Sequence, residues 1–277
     1  MVELPEIETL RHGLDRDIAG KKVKTVEAAG MSALGRYKNR KQFTSELEGA
    51  KVISVQREGT LILVHLDEER VLGIDLGTSG RLRRCANKDK DIPGTEIVVG
   101  FTQGGQLRLV DPDGDAQMFV VAEEELLEAR PELADLGTDP LKEALSWTMF
   151  AEMLRQRKAK LKTLLLDQSF IVGIGDIYAD EILFNAGVRY DRVSDTLSTQ
   201  EVRRLYRSLV ETLHDAIKYR GTSLEDGTWV DLYGDPGEYQ DHLQVYGRDG
   251  ELSPRSRAPI QKAKFGGKWT YYCDTQV

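Results

Sequence analysis

Apolar residues near the start of the chain recur every three to four positions, as they do along one face of a helix. Ile7, Leu10 and Leu14 follow this spacing, and Pro5 is typical of a first helical turn. The pattern then changes to short apolar or alternating runs rich in β-branched residues, which predict strands. The predicted strands are 22–27, 50–56, 60–66, 73–76, 96–102 and 106–110. Short strands with glycine-rich turns indicate a sandwich or barrel-like β domain.

The second half of the chain has helical periodicity. Ser146 predicts an N-cap for a helix over 147–155, and Thr199 precedes a long amphipathic run over 201–219. An acidic stretch, 123–131, predicts a helical connector before these helices, because prolines punctuate it.

Two strand-like pieces near the end of the chain surround Gly266 and Gly267 and predict a β-hairpin. We therefore predict an α+β protein with three parts. They are an N-terminal β-sandwich domain flanked by helices (1–122), a helical domain (123–242) and a finger-like hairpin (243–277).

Composition narrows the class of protein. The 277 residues carry 38 basic and 46 acidic side chains, a net charge of −8, and the 40% hydrophobic content is typical of a globular chain. No apolar run approaches a membrane span, no signal-peptide pattern opens the chain, and two cysteines make no disulfide framework. We expect a cytoplasmic protein, which a local basic face could associate with the nucleoid.

Five separated stretches carry a family resemblance: 3–8, 76–80, 167–181, 239–248 and 265–273. They resemble, in order and across the whole chain, the formamidopyrimidine-DNA glycosylase and endonuclease VIII family. The resemblance implies a β-sandwich domain, a helix–two-turn–helix domain and a finger, with damaged DNA held between the domains. It also implies base excision and cleavage at the abasic site.

The resemblance places the family's chemistry at the N-terminus. The nucleophile is the mature N-terminal amine, usually of proline, and Val2 occupies that position once Met1 is removed. Glu3 matches the acid that assists base departure, although helix capping explains it equally well. Glu6 matches a second acid and is more readily explained as structural. Thr60 replaces the lysine that assists β-elimination, and threonine carries no amine.

The positions that fill the gap left by a flipped base are altered. Thr78 stands where the family has methionine. Asp113 and Asp115 lie in the loop that should supply an arginine and an aromatic side chain. Aspartates repel phosphate and cannot stack, so we interpret this loop as an acidic solvated turn.

The phosphate-binding turn of the helix–two-turn–helix is altered too. Asp176 replaces an asparagine and follows Gly175, which keeps the turn. An ionised carboxylate donates no hydrogen bond and repels phosphate. Lys162 precedes the turn and is a candidate phosphate contact.

The family's finger holds zinc with four cysteines, whereas Ser253 and Ser256 replace the first pair and only Cys273 remains of the second. One thiolate cannot form a four-ligand site, so we predict a zincless finger and no cofactor. The hairpin would then fold by packing aromatic residues, namely Trp269, Tyr271 and Tyr272.

The finger is nevertheless basic and is the best remaining candidate for contact with nucleic acid. Between residues 252 and 272 there are no acidic residues and five basic ones: Arg255, Arg257, Lys262, Lys264 and Lys268. Lys268 aligns with the family's phosphate-binding arginine and loses its bidentate fork.

These departures support three hypotheses. The first is a degenerate homologue that lacks standard base excision and abasic-site lyase chemistry and is retained to bind DNA weakly, RNA or a protein. The second is an active DNA glycosylase with altered chemistry, using the Val2 amine or Glu3 and Glu6. The third is a regulatory protein-interaction factor with no nucleic-acid role. None of them involves a membrane.

Overall fold

A computed structural model describes residues 2–142, 144–225, 227 and 229–277. Met1, on whose removal the Val2 amine depends, lies outside the described residues. The chain separates into two compact units, Met1–Ala134 with Tyr219–Glu238 and Asp135–Lys218 with Tyr239–Val277. The division into 1–122, 123–242 and 243–277 stays a prediction. No helix within the described residues is long and apolar enough to cross a membrane.

The first unit contains two four-stranded antiparallel sheets. One has the order β1, β6, β7, β5 and the other β2, β3, β4, β8. Their bounds are β1 Val23–Ala28, β2 Val52–Glu58, β3 Leu61–Leu66, β4 Arg70–Asp75, β5 Arg81–Cys85, β6 Thr95–Phe101, β7 Gln106–Val110 and β8 Gln117–Ala122. Both sheets contribute to one buried core, which confirms the predicted sandwich-like domain and adds β5 and β8 to it.

Helices complete the first unit. They are α1 (Leu4–Ile18), α2 (Arg40–Leu47) and α3 (Leu126–Ala129), with short 3-10 turns at Ser32–Leu34, Glu123–Glu125 and Pro131–Asp135. Ile7, Leu10 and Leu14 of α1 are buried in the core, as their spacing predicts. The returning segment 219–238 reaches the same core through Trp229 and Leu232.

The second unit is helical and carries the predicted hairpin. Its helices are α4 (Trp147–Gln156), α5 (Leu161–Leu165), α6 (Asp176–Ala186) and α7 (Thr199–Lys218), with 3-10 turns at Ser194–Thr196 and Tyr239–His242. The hairpin pairs β9 (Gln261–Phe265) with β10 (Lys268–Tyr272). The Ser146 hydroxyl accepts a hydrogen bond from the Met149 amide at 3.2 Å, so the predicted N-cap of α4 is confirmed.

The expected packing of the hairpin aromatics is wrong at one position. Tyr271 and Tyr272 are half-buried, with ring contacts to Tyr246 and Tyr190. Trp269, in contrast, is 45% exposed. Alternate residues of a strand face opposite sides, so Trp269 lies on the face opposite Thr270, which is buried and hydrogen-bonded to Asp180 of α6.

Candidate functional site

Two buried carboxylates begin α1. Glu3 is the N-cap, Glu6 lies three residues later, and together they form a reciprocal capping box in which the Glu3 amide donates to Glu6 Oε2 at 3.1 Å. The other Glu6 oxygen accepts a hydrogen bond from the Thr222 amide at 2.8 Å. Glu6 therefore anchors the returning segment, as its structural interpretation anticipates.

Val2 lies next to the first of these carboxylates. Its side chain is half-buried against the core of the first unit, and Glu3 is 4% exposed. A terminal amine at Val2 would thus adjoin a carboxyl group held by the start of a helix. This is the arrangement that amine attack with a nearby proton donor requires.

Thr60 is exposed in the turn between β2 and β3, after Gly59 with a φ of +57°. Its hydroxyl brings no amine to that turn. The loss of the lysine side chain that the resemblance implies would therefore fall on an exposed turn.

A buried ion pair beside this turn escaped the sequence analysis. The Arg57 guanidinium is 1% exposed and its Nε donates to Glu8 Oε2 at 2.6 Å. Burial acts to raise the pKa of Glu8, but hydrogen bonds from Arg11 and Arg57 outweigh it and lower that pKa. The pair fastens α1 to β2. The available signal was that Arg57 shares a strand face with Val55.

Two segments of the first unit that the sequence analysis predicts to be altered gap-filling positions contact each other. The Thr78 amide donates to Asp115 Oδ2 at 2.9 Å, and the Thr78 hydroxyl donates to the same oxygen. These hydrogen bonds, led by the hydroxyl, lower the pKa of Asp115. Asp113 is exposed nearby, so the loop has the acidic, solvated character expected from the sequence.

Replacing Thr78 with valine should raise the pKa of Asp115 towards its ordinary value of 3.8. A lowered folded-state pKa stabilises the fold above that ordinary value, and the contribution disappears as the pH falls through the lowered pKa. An NMR titration of the Asp115 carboxyl carbon measures the change, and Thr78→Ser is the control that keeps the hydroxyl. Identical titrations in the parent and Thr78→Val would refute the contact.

In the second unit, charged residues cluster where α6 begins. Lys162 Nζ is 2.8 Å from Asp180 Oδ1 and 3.6 Å from Asp176 Oδ1. Lys268 Nζ of the hairpin is 2.8 Å from Asp176 Oδ2. Gly175 is the N-cap of α6, so the Asp176 carboxylate stands at the positive end of that helix dipole. A helix N-terminus with two lysines is an anion site, and here a carboxylate of the chain itself meets both lysines.

Asp180 forms the buried centre of this cluster. It accepts hydrogen bonds from Lys162, from the Thr270 hydroxyl and from the Tyr271 amide. Burial raises the pKa of Asp180 to about 6, against the opposing effect of Lys162. The cluster therefore ties α5, α6 and β10 together, and Lys162 has a structural partner that the sequence did not reveal.

The basic residues of the finger divide into two groups. The Arg255 guanidinium donates to the carbonyl oxygen of Asn185 at 3.1 Å, and to that of Phe184, at the end of α6. It thus caps a helix C-terminus, which is a structural use of the charge. Arg257 and Lys264 are exposed and keep the character expected of nucleic-acid contacts.

The finger does not have donors that suit zinc. The Cys273 thiol is 3.1 Å from the Ser256 hydroxyl, and its neighbours are hydroxyl groups, whereas structural zinc takes thiolate or imidazole ligands. Among residues 2–142, 144–225, 227 and 229–277, no group of three His, Cys, Asp or Glu side chains could hold a metal ion. The zincless finger stays a prediction.

Comparison with known proteins agrees with this architecture. Residues 1–117 match the N-terminal domain of formamidopyrimidine-DNA glycosylase, and residues 136–227 match its H2TH domain. The fold is thus that of the helix–two-turn–helix glycosylases. The formamidopyrimidine-DNA glycosylases of Pelotomaculum thermopropionicum and Heliobacterium modesticaldum are 36% and 37% identical to the chain, over 99% of it and 98% of each relative. The chain belongs to the formamidopyrimidine-DNA glycosylase family.

Solved structures support the same assignment. A complex of the Lactococcus lactis enzyme with DNA that contains an abasic site has a TM-score of 0.87 and 29% identity, covering 98% of this chain and 97% of that one. Another complex of that enzyme contains DNA with the lesion Fapy-dG. Both structures therefore concern a relative bound to damaged DNA.

Proposed function

We propose that the chain is a DNA glycosylase that removes damaged bases from unpaired DNA, using the Val2 amine as nucleophile and Glu3 as proton donor. The observation that carries this proposal is the buried Glu3 carboxyl at the start of α1, next to Val2. The amine attacks C1′ of the sugar, the bond between C1′ and the base breaks, and the base leaves with that electron pair and takes up the proton that the amine loses. As the base departs, Glu3 donates a proton to the sugar oxygen, and the ring opens to the imine.

Similarity over nearly the full chain supports this function. The relatives that match 99% of the chain are named formamidopyrimidine-DNA glycosylases, and the matching Lactococcus lactis structures hold damaged DNA. These names favour the active alternative over the degenerate homologue. They also favour DNA as the partner over RNA or a protein.

The preference for unpaired DNA follows from the gap-filling positions. An enzyme that flips a base out of a duplex must compensate lost stacking, whereas a base in a single strand is already accessible. Thr78 and Asp115 are engaged with each other, and neither can stack in a duplex. Duplex lesions are therefore poor substrates for this chain.

Borohydride trapping tests the proposed nucleophile. The imine between Val2 and the sugar should be reduced to a stable adduct on a single-stranded oligonucleotide with a damaged base, and mass spectrometry should locate the adduct on the N-terminal peptide. Protein that retains Met1 is the control, because its Val2 nitrogen is an amide and should give no adduct. Free base without any adduct would overturn the amine route.

A second candidate function is binding without excision, the degenerate homologue. The observation that favours it is that the altered positions satisfy one another, Thr78 with Asp115 and Lys268 with Asp176. In this case the second unit binds nucleic acid weakly, because Asp176 already pairs with Lys162 and Lys268, which would otherwise contact a phosphate.

Replacing Asp176 with asparagine should therefore strengthen DNA binding under both candidate functions. Without the Asp176 carboxylate, Lys268 can contact a phosphate, so the affinity for DNA should rise about tenfold at low salt. The dependence of log affinity on log salt concentration should steepen by about one phosphate contact. Fluorescence anisotropy with a labelled oligonucleotide measures both quantities. Asp195→Asn is the matched control, since Asp195 pairs with the exposed Lys158 at 3.1 Å and its loss changes net charge equally. Equal gains in both variants would show that Asp176 has no specific effect.

A further inference from the structure

We propose that the outer face of the hairpin is a stacking platform for an unpaired nucleobase, with Trp269 as its ring and Lys262 and Lys264 as its phosphate contacts. The outer face is defined by Lys262, Lys264, Trp269 and Tyr271. This inference rests on the proposed function in taking single-stranded DNA as the ligand, and it adds a binding site at some distance along the chain from Val2 and Glu3.

The register of the hairpin separates two faces. Trp269 pairs with Lys264 and Tyr271 with Lys262, so these four side chains share one face. Lys268 and Thr270 lie on the opposite face, where they contact Asp176 and Asp180 of α6. The carboxylates of α6 therefore engage the inner face. On the outer face Tyr271 is half-buried with its ring against Tyr246, whereas Lys262, Lys264 and Trp269 are exposed.

Trp269 and the two lysines form a compact arrangement on this face. Lys262 Nζ lies 5.2 Å and Lys264 Nζ 5.0 Å from the centre of the indole ring. Lys262 also pairs with Asp249 at 2.7 Å, whereas Lys264 forms no ion pair with any residue that the structure describes. Trp269 remains 45% exposed, although an aromatic residue of this size is usually buried.

Single-stranded DNA fits this arrangement by chemistry. Proteins bind single strands by stacking bases on exposed aromatic rings beside cations that meet the backbone. The segment 252–272 carries five basic and no acidic residues, so it attracts the negatively charged backbone of a nucleic acid. A base that stacks on Trp269 places its phosphates near Lys264, the cation without an ion pair.

Binding of a fluorescein-labelled thymidine oligonucleotide of about 12 nucleotides tests the platform. The comparison ligand has the same length but carries abasic tetrahydrofuran sites, so that it keeps the phosphates and lacks the bases. The full-length parent should bind the thymidine strand about tenfold more tightly, equal to about 1.4 kcal/mol. Trp269→Ala should lose this difference, and Trp269→Phe should keep most of it.

The lysine contribution has its own control. Lys264→Ala should weaken binding of both strands and lower the salt slope by about one, whereas Lys41→Ala, at an exposed position on α2, should leave both unchanged. Equal binding of the thymidine strand by the parent and Trp269→Ala would overturn the platform. Tighter binding of a uridine strand than of the thymidine strand would overturn the choice of DNA.

Base excision is measured separately on the same preparations. If the parent excises bases and Trp269→Ala binds the thymidine strand normally, the platform is wrong and the proposed function stands. If Trp269→Ala loses the base-dependent affinity while the parent excises nothing, the platform stands and the proposed function is wrong.

Discussion

Base excision falls by about 100-fold or more when Glu3 is replaced by glutamine, because general acid catalysis contributes about 10²- to 10⁴-fold. Glutamine has nearly the same size and still accepts a hydrogen bond, so the capping box at the start of α1 survives. It cannot donate an acidic proton to the sugar as the base departs. Single-turnover release of free base from a damaged single strand measures the loss.

A structural role for Glu3 alone would give a different result. In that case Glu3→Gln would change the rate by less than about threefold, far below the range of acid catalysis. Thermal unfolding of the same variant verifies that the fold is intact. Glu6→Gln is the comparison variant. Both carboxylate oxygens of Glu6 accept backbone amides, those of Glu3 and Thr222, and glutamine can accept only one of them, so this variant should be less stable.

Asp180→Asn lowers the free energy of unfolding by about 3 kcal/mol, the cost of breaking a buried ion pair by removing one partner. The Lys162 side chain is 1% exposed and its nearest anion is Asp180 at 2.8 Å. After the substitution the nearest remaining carboxylate is that of Asp176, 3.6 Å from the ammonium. Urea unfolding of the second unit measures the change.

The double variant Lys162→Met with Asp180→Asn separates the charge from the packing. Removing the buried ammonium as well should restore at least half of the lost stability, since no uncompensated charge then remains. If the free energy of unfolding of Asp180→Asn lies within about 1 kcal/mol of the parent value, the buried ion pair does not stabilise the second unit as its burial indicates.

Local patterns predicted most of the secondary structure. The spacing of Ile7, Leu10 and Leu14 identified α1, and Ser146 marked the start of α4. Strand β5 was missed because Arg81, Arg83 and Arg84 hide the alternation that predicts a strand. Secondary structure was therefore predictable wherever charged residues did not interrupt the hydrophobic periodicity of an element.

The charged contacts of the site were not predictable in this way. Lys268 and Asp176 are far apart in the sequence, and only the packing of β10 on α6 brings them together. Sequence analysis identified both positions as altered but not as partners. The exposure of Trp269 depends on the hairpin register, which fixes which face of the strand meets α6.

Release of free base from a damaged single-stranded oligonucleotide, detected by mass spectrometry, tests the central claim most directly. Protein with a free Val2 amine is incubated with a panel of damaged bases, each placed in a single strand and in the matched duplex. The account predicts that at least one base is released and that the single strand reacts faster than the duplex. Intact glycosidic bonds across the whole panel, with measurable DNA binding, would contradict it and leave a protein that only binds.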